Sequence, residues 1–375
     1  MRPYYRFALI PVICLATLIN PGFSNGVYLL YDRSVPQASY AAHMLNSVLT
    51  EKGYHVREDR EDYDYLINID MQKLLLDEEA YLIIPEGKII KVYGGDERGM
   101  IYGALALADE LSNGTELDDI EARSESARLP FRGIKHNLAW DSYRPSSALD
   151  QHYETLWEID YWESFLDMMA RNRFNALTLW NLHPFTYMIM PENFPEASPF
   201  SEDELAEWQN LYRQIFRMAS ERGIDTYLVN WNIFVSREFA EAHNVAAENF
   251  YPHYFSEGDT SEIVKRYIRE SITQVLEEYP DLNGFGISHG EGMGGMTPQQ
   301  RQDWMNETII QGMRLADRPS KFIHRVPFSA DLGSAGSTSI DTEQLTRKAM
   351  EDLGDTYFRP DPPNYKITWM ARNEG

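Results

Sequence analysis

Glu291 has the sequence surroundings of a proton-donating carboxyl group. It stands in the run Ser288-His-Gly-Glu-Gly292, where glycines on both sides let the backbone turn sharply and let a ligand approach closely. Apolar neighbours such as Phe285 and Met293 would help a carboxyl group there to keep its proton and act as a general acid. The alternative is a carboxylate at the N-terminus of a helix that begins at Thr297-Pro298.

Other polar and aromatic side chains follow short apolar runs, as Glu291 does. Indole, amide and imidazole groups suit a sugar, because a sugar offers apolar ring faces and many hydroxyl groups. The residues predicted to bind substrate are Asp141, Arg144, Trp180, Asn181, His183, Asn230, Trp231, Asn232, His289, Arg325, Arg372 and Asn373. Glu374 is a candidate for a second catalytic carboxylate. For any single tryptophan the alternative role is core packing, and for Asp141 it is a local ion pair with Arg144.

Metal and nucleotide chemistry fit the sequence less well. His289 and Glu291 form a His-x-Glu pair of the kind found in zinc deaminases, but those enzymes need a Pro-Cys-x-x-Cys partner that this chain does not supply. His183 and His289 are not spaced as ligands of one metal ion. The glycine-rich segment 94–99 lacks the spacing of a dinucleotide fingerprint and is interpreted as turn geometry. We therefore predict a site without metal ion or cofactor.

The apolar runs that precede these side chains are interpreted as buried strands separated by helices. Polar groups at the C-terminal ends of successive parallel strands form the active sites of (β/α)8 barrels. The pattern therefore predicts an α/β protein in which a TIM barrel carries the site. The six predicted barrel strands, each with its polar end, cover residues 134–141, 176–183, 226–232, 284–291, 322–328 and 367–374.

The chain is predicted to contain three segments. Residues 1–24 are interpreted as a secretory signal peptide, because Arg2 and Arg6 flank a short apolar stretch that ends before Pro21. Residues 25–128 are predicted to form a small α/β domain, with strands at 27–31, 65–69, 81–84 and 88–93 and helices at 36–52 and 98–111. A polar linker is predicted at 113–129. Residues 129–375 predict the barrel, with helices at 161–172, 202–222 and 260–279.

The number of strands is small for a barrel. Eight strands close a TIM barrel, and about 250 residues usually supply them. Residues 132–375 have that length but contain only six clear strands, so we expect the C-terminal end of the barrel to be missing from the sequence. Unpaired strand edges promote aggregation. We therefore expect the chain as written to be poorly soluble and inactive, and a version extended by its native downstream sequence to fold.

Charge and cysteine content limit the partners and the compartment. The formal net charge of −24 argues against nucleic acid and anionic membranes as partners, because both would be repelled. The only cysteine, Cys14, lies in the predicted signal peptide, so the mature protein would have no disulfide bond. The expected location is the periplasm or the extracellular space, and the expected partner is an oligosaccharide or polysaccharide.

Two motifs resemble those of known proteins. Asp96-Glu-Arg-Gly-Met-Ile-Tyr-Gly103 in the small domain, followed by Phe131-Arg-Gly-Ile134 at the start of the barrel, resembles the α-glucuronidases of glycoside hydrolase family 67. The chain resembles more distantly the β-hexosaminidases of family 20. The resemblance covers nearly the whole mature chain. It implies a glycoside hydrolase acting on polysaccharide-derived oligosaccharides, in which a Glu after the fourth strand, here Glu291, is the general acid.

The chain also departs from these families. Hexosaminidases carry an Asp directly before that Glu to orient the substrate's acetamido group, whereas this chain has Gly290. The uronic acid substrate implied by the α-glucuronidases needs cations, for which Arg144, Arg325 and Arg372 are candidates. The alternatives are a hexosaminidase-like glycosidase and a non-catalytic carbohydrate-binding barrel.

Overall fold

The computed structural model describes residues 25–57, 63–142, 146–230, 233–246, 258–288, 293 and 295–325. Within these ranges the chain forms two sheets, each with its own buried apolar core. This confirms the predicted α/β class. The predicted signal peptide (1–24) and the sixth predicted strand (367–374) lie outside the described residues.

The first sheet has six strands and two long helices. Its strand order is β2-β1-β3-β5-β4-β6, with β4 antiparallel to both of its neighbours and the other pairs parallel. The helices pack against each other and against the sheet. In chain order the elements are β1 (Gly26–Leu30), α1 (Pro36–Glu51), β2 (His55–Arg57), β3 (Tyr65–Met71), β4 (Tyr81–Glu86), β5 (Ile89–Gly94), α2 (Glu97–Ser112) and β6 (Arg123–Glu125).

The interpretation of residues 113–129 as a plain linker was wrong, because β6 lies within them. This strand pairs with β4, and Glu125 accepts a hydrogen bond of 2.8 Å from the Tyr81 hydroxyl. The Arg123 guanidinium bonds Glu110 at 2.9 Å, which ties the strand to α2. β6 is short, exposed and charged, as edge strands often are. Such a strand lacks the apolar alternation by which strands are recognised in a sequence.

The glycine-rich segment 94–99 is a tight turn, as predicted. A Cβ atom on Gly95 would lie 1.8 Å from the Asp77 carbonyl oxygen, and one on Gly99 would lie 2.1 Å from the Ala80 carbonyl oxygen. The Asp96 side chain caps α2 by accepting a hydrogen bond of 2.7 Å from the Gly99 amide. Glycine is therefore required here by close backbone approach.

The second sheet consists of five parallel strands in the order β11-β10-β9-β8-β7. This arrangement confirms five of the six predicted barrel strands and their parallel direction. The strands are β7 (Gly133–Asn137), β8 (Ala176–Trp180), β9 (Asp225–Asn230), β10 (Gly284–Ser288) and β11 (Lys321–Arg325). The helices between them are α3 (Ser147–Asp150), α4 (Ile159–Arg171), α5 (Glu202–Glu221), α6 (Arg237–His243), α7 (Glu262–Glu278), α8 (Pro298–Met305) and α9 (Gln311–Leu315), with a π-helical turn at Asn306–Ile310.

Helix α5 shows how the sequence produces these elements. Ser201 and Glu204 form a capping box, in which each side chain bonds the other's backbone amide. The predicted apolar positions Leu205, Trp208 and Ile215 are all buried, which confirms the helical spacing. Gly223 ends this segment with a φ of +69°, the left-handed conformation that glycine adopts at little cost.

A cluster of charged and polar groups, here called the charged joint, connects the two sheets. Arg98 of α2 bonds the Gly223 carbonyl at 2.7 Å and Asp225 at 2.7 Å, and Asp225 also pairs with Lys321 at 2.6 Å. Burial alone would raise the pKa of Asp225, but the charges of Arg98 and Lys321 outweigh it and hold that pKa below its ordinary value. Asp225 and Lys321 are the first residues of β9 and β11. The joint therefore lies at the N-terminal end of the parallel strands, the end opposite the predicted site.

Glu79 extends the charged joint along the same end of the sheet. One oxygen of its carboxylate pairs with Arg132 at 2.7 Å. The other oxygen accepts a hydrogen bond of 2.7 Å from Asn175 and lies 3.4 Å from Arg98 Nη1. Arg132 also donates to the Tyr102 hydroxyl at 3.0 Å. Residues of both motifs that carried the resemblance therefore serve to fix the first sheet to the base of the second.

Candidate active site

The candidate site lies at the C-terminal ends of the five parallel strands. These ends meet at one edge of the second sheet, because every strand of that sheet runs in the same direction. Asn230, Ser288 and Arg325 are the last residues of β9, β10 and β11. Their strand-end positions agree with the prediction, while the placement of their side chains lies outside the description. The side-chain geometry of the site is therefore defined by the segments that follow β7 and β8.

Asp141 and His183 form the centre of this geometry. One carboxylate oxygen of Asp141 lies 2.6 Å from His183 Nδ1 and accepts a hydrogen bond of 2.7 Å from the His183 backbone amide. The Asp141 carbonyl accepts a third bond, 2.9 Å long, from the Leu182 amide. Two residues 42 positions apart are thus held together by the ends of neighbouring strands.

The backbone of Asp141 is strained. Its φ is +50°, in the left-handed region that a residue with a Cβ atom rarely enters. Strain of this kind costs about 1–3 kcal/mol and is commonly found at functional sites. Here the unusual conformation coincides with the carbonyl and carboxylate contacts to Leu182 and His183. The ion pair with Arg144 that was the alternative for Asp141 cannot be placed, because Arg144 lies outside the described residues.

The charge state of the pair follows from its contacts. Burial would raise the pKa of Asp141, but the charge of His183 and the two hydrogen bonds from it hold the pKa below its ordinary value. An ionised carboxylate only accepts hydrogen bonds, so His183 Nδ1 carries the hydrogen. In the neutral ring, Nε2 is then an acceptor; in the imidazolium it is a second donor. The pair can therefore either accept a proton or donate one at Nε2.

Unsatisfied polar atoms lie near this pair. Among the described residues, His183 Nε2 and Asn181 Nδ2 are buried and have no hydrogen-bond partner; the two residues are 8% and 1% exposed. Asn137 Oδ1, at the end of β7, is buried and unsatisfied as well. Most buried polar groups in proteins are hydrogen-bonded, so unsatisfied ones are candidates for contacts with a ligand. Asn137 was not predicted, although its position at the polar end of the first barrel run was a usable signal.

Neither Trp180 nor Trp140 offers an open ring face to a ligand. Trp180 is 1% exposed, its indole nitrogen donates to Thr178 at 2.9 Å, and the Lys135 ammonium lies 3.9 Å from its ring centre. Trp140 is 3% exposed and donates to the Tyr212 hydroxyl at 3.0 Å. Both rings pack in the large core, the alternative role given above. Stacking of Trp180 on a sugar stays a prediction that would require neighbouring groups to move.

The remaining predicted site residues lie outside the described residues. They are Arg144, Trp231, Asn232, His289, Glu291, Arg372, Asn373 and Glu374. Among the side chains that are described, no group of three His, Cys, Asp or Glu residues is arranged to hold a metal ion. No helix in the same part of the chain is both long and apolar enough to cross a bilayer.

Comparisons with known proteins agree with the geometry. No protein-family model and no curated protein sequence matches the chain. Solved structures do match. A GH138 enzyme that targets pectin rhamnogalacturonan II aligns with a TM-score of 0.67 and 23% identity, over 79% of this chain and 44% of that one. The chain has the fold of a glycoside hydrolase.

Two further matches support the same fold. The β-hexosaminidase of Streptomyces plicatus, in complex with its product GlcNAc, aligns with a TM-score of 0.57 and 11% identity, over 88% of this chain and 69% of that one. The GH20 β-N-acetylhexosaminidase of Streptomyces coelicolor gives a TM-score of 0.58 and 11% identity, over 88% and 69% of the two chains. The chain thus spans less than half of the GH138 enzyme and about two thirds of the hexosaminidases.

Proposed function

We propose that this protein is a glycoside hydrolase of the α-glucuronidase-like kind, acting on oligosaccharides derived from plant or algal polysaccharides. The observation that carries the proposal is the Asp141–His183 pair with its unsatisfied, buried nitrogen atoms, positioned where parallel strands end in a glycosidase fold. Barrel enzymes hold their catalytic groups at that end of the strands. An exported location, which the N-terminal sequence predicts, would suit such a substrate.

The proposed reaction is acid-base hydrolysis of a glycosidic bond. Glu291 protonates the leaving oxygen while a second carboxylate, for which Glu374 is the candidate, activates water or attacks the sugar. Carboxyl groups about 6.5–9.5 Å apart would indicate inversion of configuration, and a separation of about 5–5.5 Å would indicate retention. His183 and Asn181 bind sugar hydroxyl groups, because their buried nitrogen atoms have no hydrogen-bond partner among the described residues.

A uronic acid is the proposed sugar class. The resemblance to α-glucuronidases supports it, and the similar GH138 enzyme targets pectin rhamnogalacturonan II. A sugar carboxylate needs nearby cations in a protein of net charge −24, and Arg144, Arg325 and Arg372 are the candidates. Arginine suits this role because its planar guanidinium can bind a carboxylate through two hydrogen bonds.

The test is a substrate screen of the full-length protein. The panel contains aryl glucuronides, aryl galacturonides, aryl N-acetylhexosaminides and pectic oligosaccharides. We expect turnover of at least one uronide, and a loss of at least about 10²-fold in Glu291→Gln on substrates with poor leaving groups. Substrates with very good leaving groups need little protonation and should be spared. Equal loss on every substrate would contradict the acid role of Glu291.

A second candidate is a hexosaminidase-like glycosidase. It is favoured by the two structurally similar β-hexosaminidases, and opposed by Gly290, which stands where those enzymes carry the acetamido-orienting Asp. Turnover of N-acetylhexosaminides without turnover of uronides would favour this candidate. Oligosaccharide binding without any hydrolysis, unchanged in Glu291→Gln, would instead indicate a carbohydrate-binding barrel.

A further inference from the structure

A cluster of aromatic rings lies beside the Asp141–His183 pair. Its innermost rings are Trp140, the residue before Asp141, and Trp208; both are buried, and their ring centres are 4.8 Å apart. Four rings that keep exposed surface pack around these two and are here called the aromatic shelf: Tyr153, Trp157, Tyr187 and Phe200. None of the four is among the residues predicted from the sequence to bind substrate.

The aromatic shelf lies at the same end of the second sheet as the candidate site. Tyr153 and Trp157 belong to the connection between β7 and α4, and Tyr187 and Phe200 to the connection between β8 and α5. Connections that follow parallel strands lie at the C-terminal ends of those strands. Burial and the charge of Asp141 both raise the pKa of Tyr187 above its ordinary value, so its hydroxyl group lies within electrostatic reach of that carboxylate. The shelf is therefore continuous with the candidate site.

The outer rings of the shelf have the properties of a sugar-binding surface. Tyr153 is 42% exposed, and its ring packs at 85° to that of Trp140. Trp157 packs on Trp208 with 4.1 Å between ring centres, and part of its surface stays exposed. Among the described residues, none forms a hydrogen bond with the Tyr153 hydroxyl or the Trp157 indole nitrogen. Apolar ring faces that carry available polar atoms match a sugar, which combines apolar faces with hydroxyl groups.

The charge around the shelf indicates which sugars fit. Residues 146–170 and 174–212, which carry its four rings, contain no lysine and no arginine. Exposed carboxylates lie close to the rings in sequence: Asp150, Glu154, Glu158, Glu202 and Asp203. Such groups repel the carboxylate of a uronic acid, whereas they can accept hydrogen bonds from the hydroxyl groups of an uncharged sugar. The shelf therefore suits a neutral sugar unit.

We propose that the aromatic shelf binds a neutral sugar unit of an oligosaccharide whose uronic acid occupies the neighbouring candidate site. The inference deepens the proposed function and rests on it for the uronic acid. The shelf is then a second subsite, and it selects chains in which a uronic acid is linked to uncharged sugars over chains that consist of uronic acids alone.

Tyr153→Ala removes the most exposed ring of the shelf and should disturb the core least. Loss of one aromatic contact should raise the Kd of a neutral oligosaccharide by about threefold to tenfold. The matched control is Tyr63→Ala. Tyr63 is 39% exposed and stacks on Tyr28 at 5.7 Å in the part of the chain that forms the first sheet, so its loss should leave every affinity unchanged.

The first experiment measures binding to the full-length protein by isothermal titration calorimetry. The probes are the neutral xylotetraose, cellotetraose and galactotetraose, and the charged tetragalacturonate. At least one neutral probe should bind wild type and Tyr63→Ala equally, and Tyr153→Ala about threefold to tenfold more weakly. Absence of binding by all neutral probes, or a wild-type Kd in Tyr153→Ala, would overturn the proposal. Equal weakening of tetragalacturonate would overturn the preference for a neutral unit.

The second experiment separates this inference from the proposed function. It compares an aryl uronide with an oligosaccharide in which the same uronic acid is linked to neutral sugars. Tyr153→Ala should raise KM for the oligosaccharide by about threefold to tenfold, with kcat and both constants for the aryl uronide unchanged. Equal changes on both substrates would indicate a structural role and overturn the proposal. If wild type hydrolysed no uronide, the proposed function would fail, while the calorimetry would still decide whether the shelf binds a neutral sugar.

Trp157 provides an independent check on the ring face. Trp157→Phe keeps an aromatic face and removes the indole nitrogen, whereas Trp157→Ala removes both. The Kd of the neutral probe should stay near the wild-type value in Trp157→Phe and rise in Trp157→Ala, by more than the change in Tyr63→Ala. Equal affinities of Trp157→Ala and wild type, in a variant with an unchanged urea midpoint, would contradict a contact between this ring and the sugar.

Discussion

Asp225→Asn should loosen the connection between the two sheets, because it removes the negative charge that pairs with both Arg98 and Lys321. Breaking one partner of a buried ion pair typically costs about 3–5 kcal/mol, since it leaves a charge desolvated and unpaired. Arg98 keeps its bonds to the Gly223 carbonyl and its contact with Glu79, and asparagine can still accept a hydrogen bond. We therefore expect the lower end of that range, about 3 kcal/mol of unfolding free energy.

The distribution of tryptophan makes this effect measurable. All eight tryptophans lie beyond residue 129, so their fluorescence does not report directly on the first sheet, whereas far-ultraviolet circular dichroism reports on both sheets. In wild type the charged joint should keep the two urea transitions coincident. In Asp225→Asn the midpoint should fall, and the circular dichroism transition should separate from the fluorescence transition.

The control for this prediction is Glu97→Gln, next to Arg98 in the same helix. Glu97 pairs with Lys73 at 3.0 Å, and both side chains are exposed. Exposed pairs contribute about 0–1 kcal/mol, so this variant should unfold almost as wild type does. If Asp225→Asn and Glu97→Gln lost the same small amount, and the two probes stayed coincident in both, the charged joint would not be the connection described above.

Three further outcomes are expected. In Asp141→Asn, the loss of unfolding free energy relative to wild type should shrink as the pH falls from about 5 toward about 3. The lowered pKa of Asp141 stabilises the folded state only while the carboxyl is ionised, so a difference that stays the same over this range would contradict the ion pair. His183→Gln should lower kcat/KM by about tenfold, the equivalent of one lost hydrogen bond to substrate, with the unfolding midpoint as control. Gly95→Ala should be far more destabilising than Gly87→Ala in urea titrations, because a Cβ atom at position 95 would overlap the Asp77 carbonyl. A Cβ atom at position 87 would meet open space, so Gly87→Ala should cost only the strain of the left-handed backbone, about 1–2 kcal/mol.

The regular elements could be predicted because their sequences carry the pattern of their burial. The strand beginning at Ala176 is a continuous apolar run, and it is buried at all five positions. Helix α5 spaces its apolar residues at the period of a helix. β2 and β6 could not be recognised, because three-residue strands with exposed or half-buried side chains show no such pattern.

The site was predictable in its location and not in its contacts. The parallel direction of the strands brings the polar run ends together, so Asp141 and His183 could both be selected as candidates from the sequence. Their pairing depends on the left-handed backbone of Asp141, which the identity of the residue does not reveal. The sequence left both core packing and sugar stacking open for Trp180, because a position at a strand end does not specify whether a ring faces solvent or the core.

The strand order of the second sheet has a consequence for synthesis on the ribosome. Each strand from β8 to β11 pairs with the one made before it, so the sheet can grow at one edge as the chain emerges. The charged joint can form only later, because Arg98 bonds the Gly223 carbonyl, which lies 125 residues further along the chain. Until β9 has been made, the first sheet has to remain folded without this attachment. Its own core of two helices and six strands must therefore be stable for that interval, about 6–25 s at ordinary rates of translation.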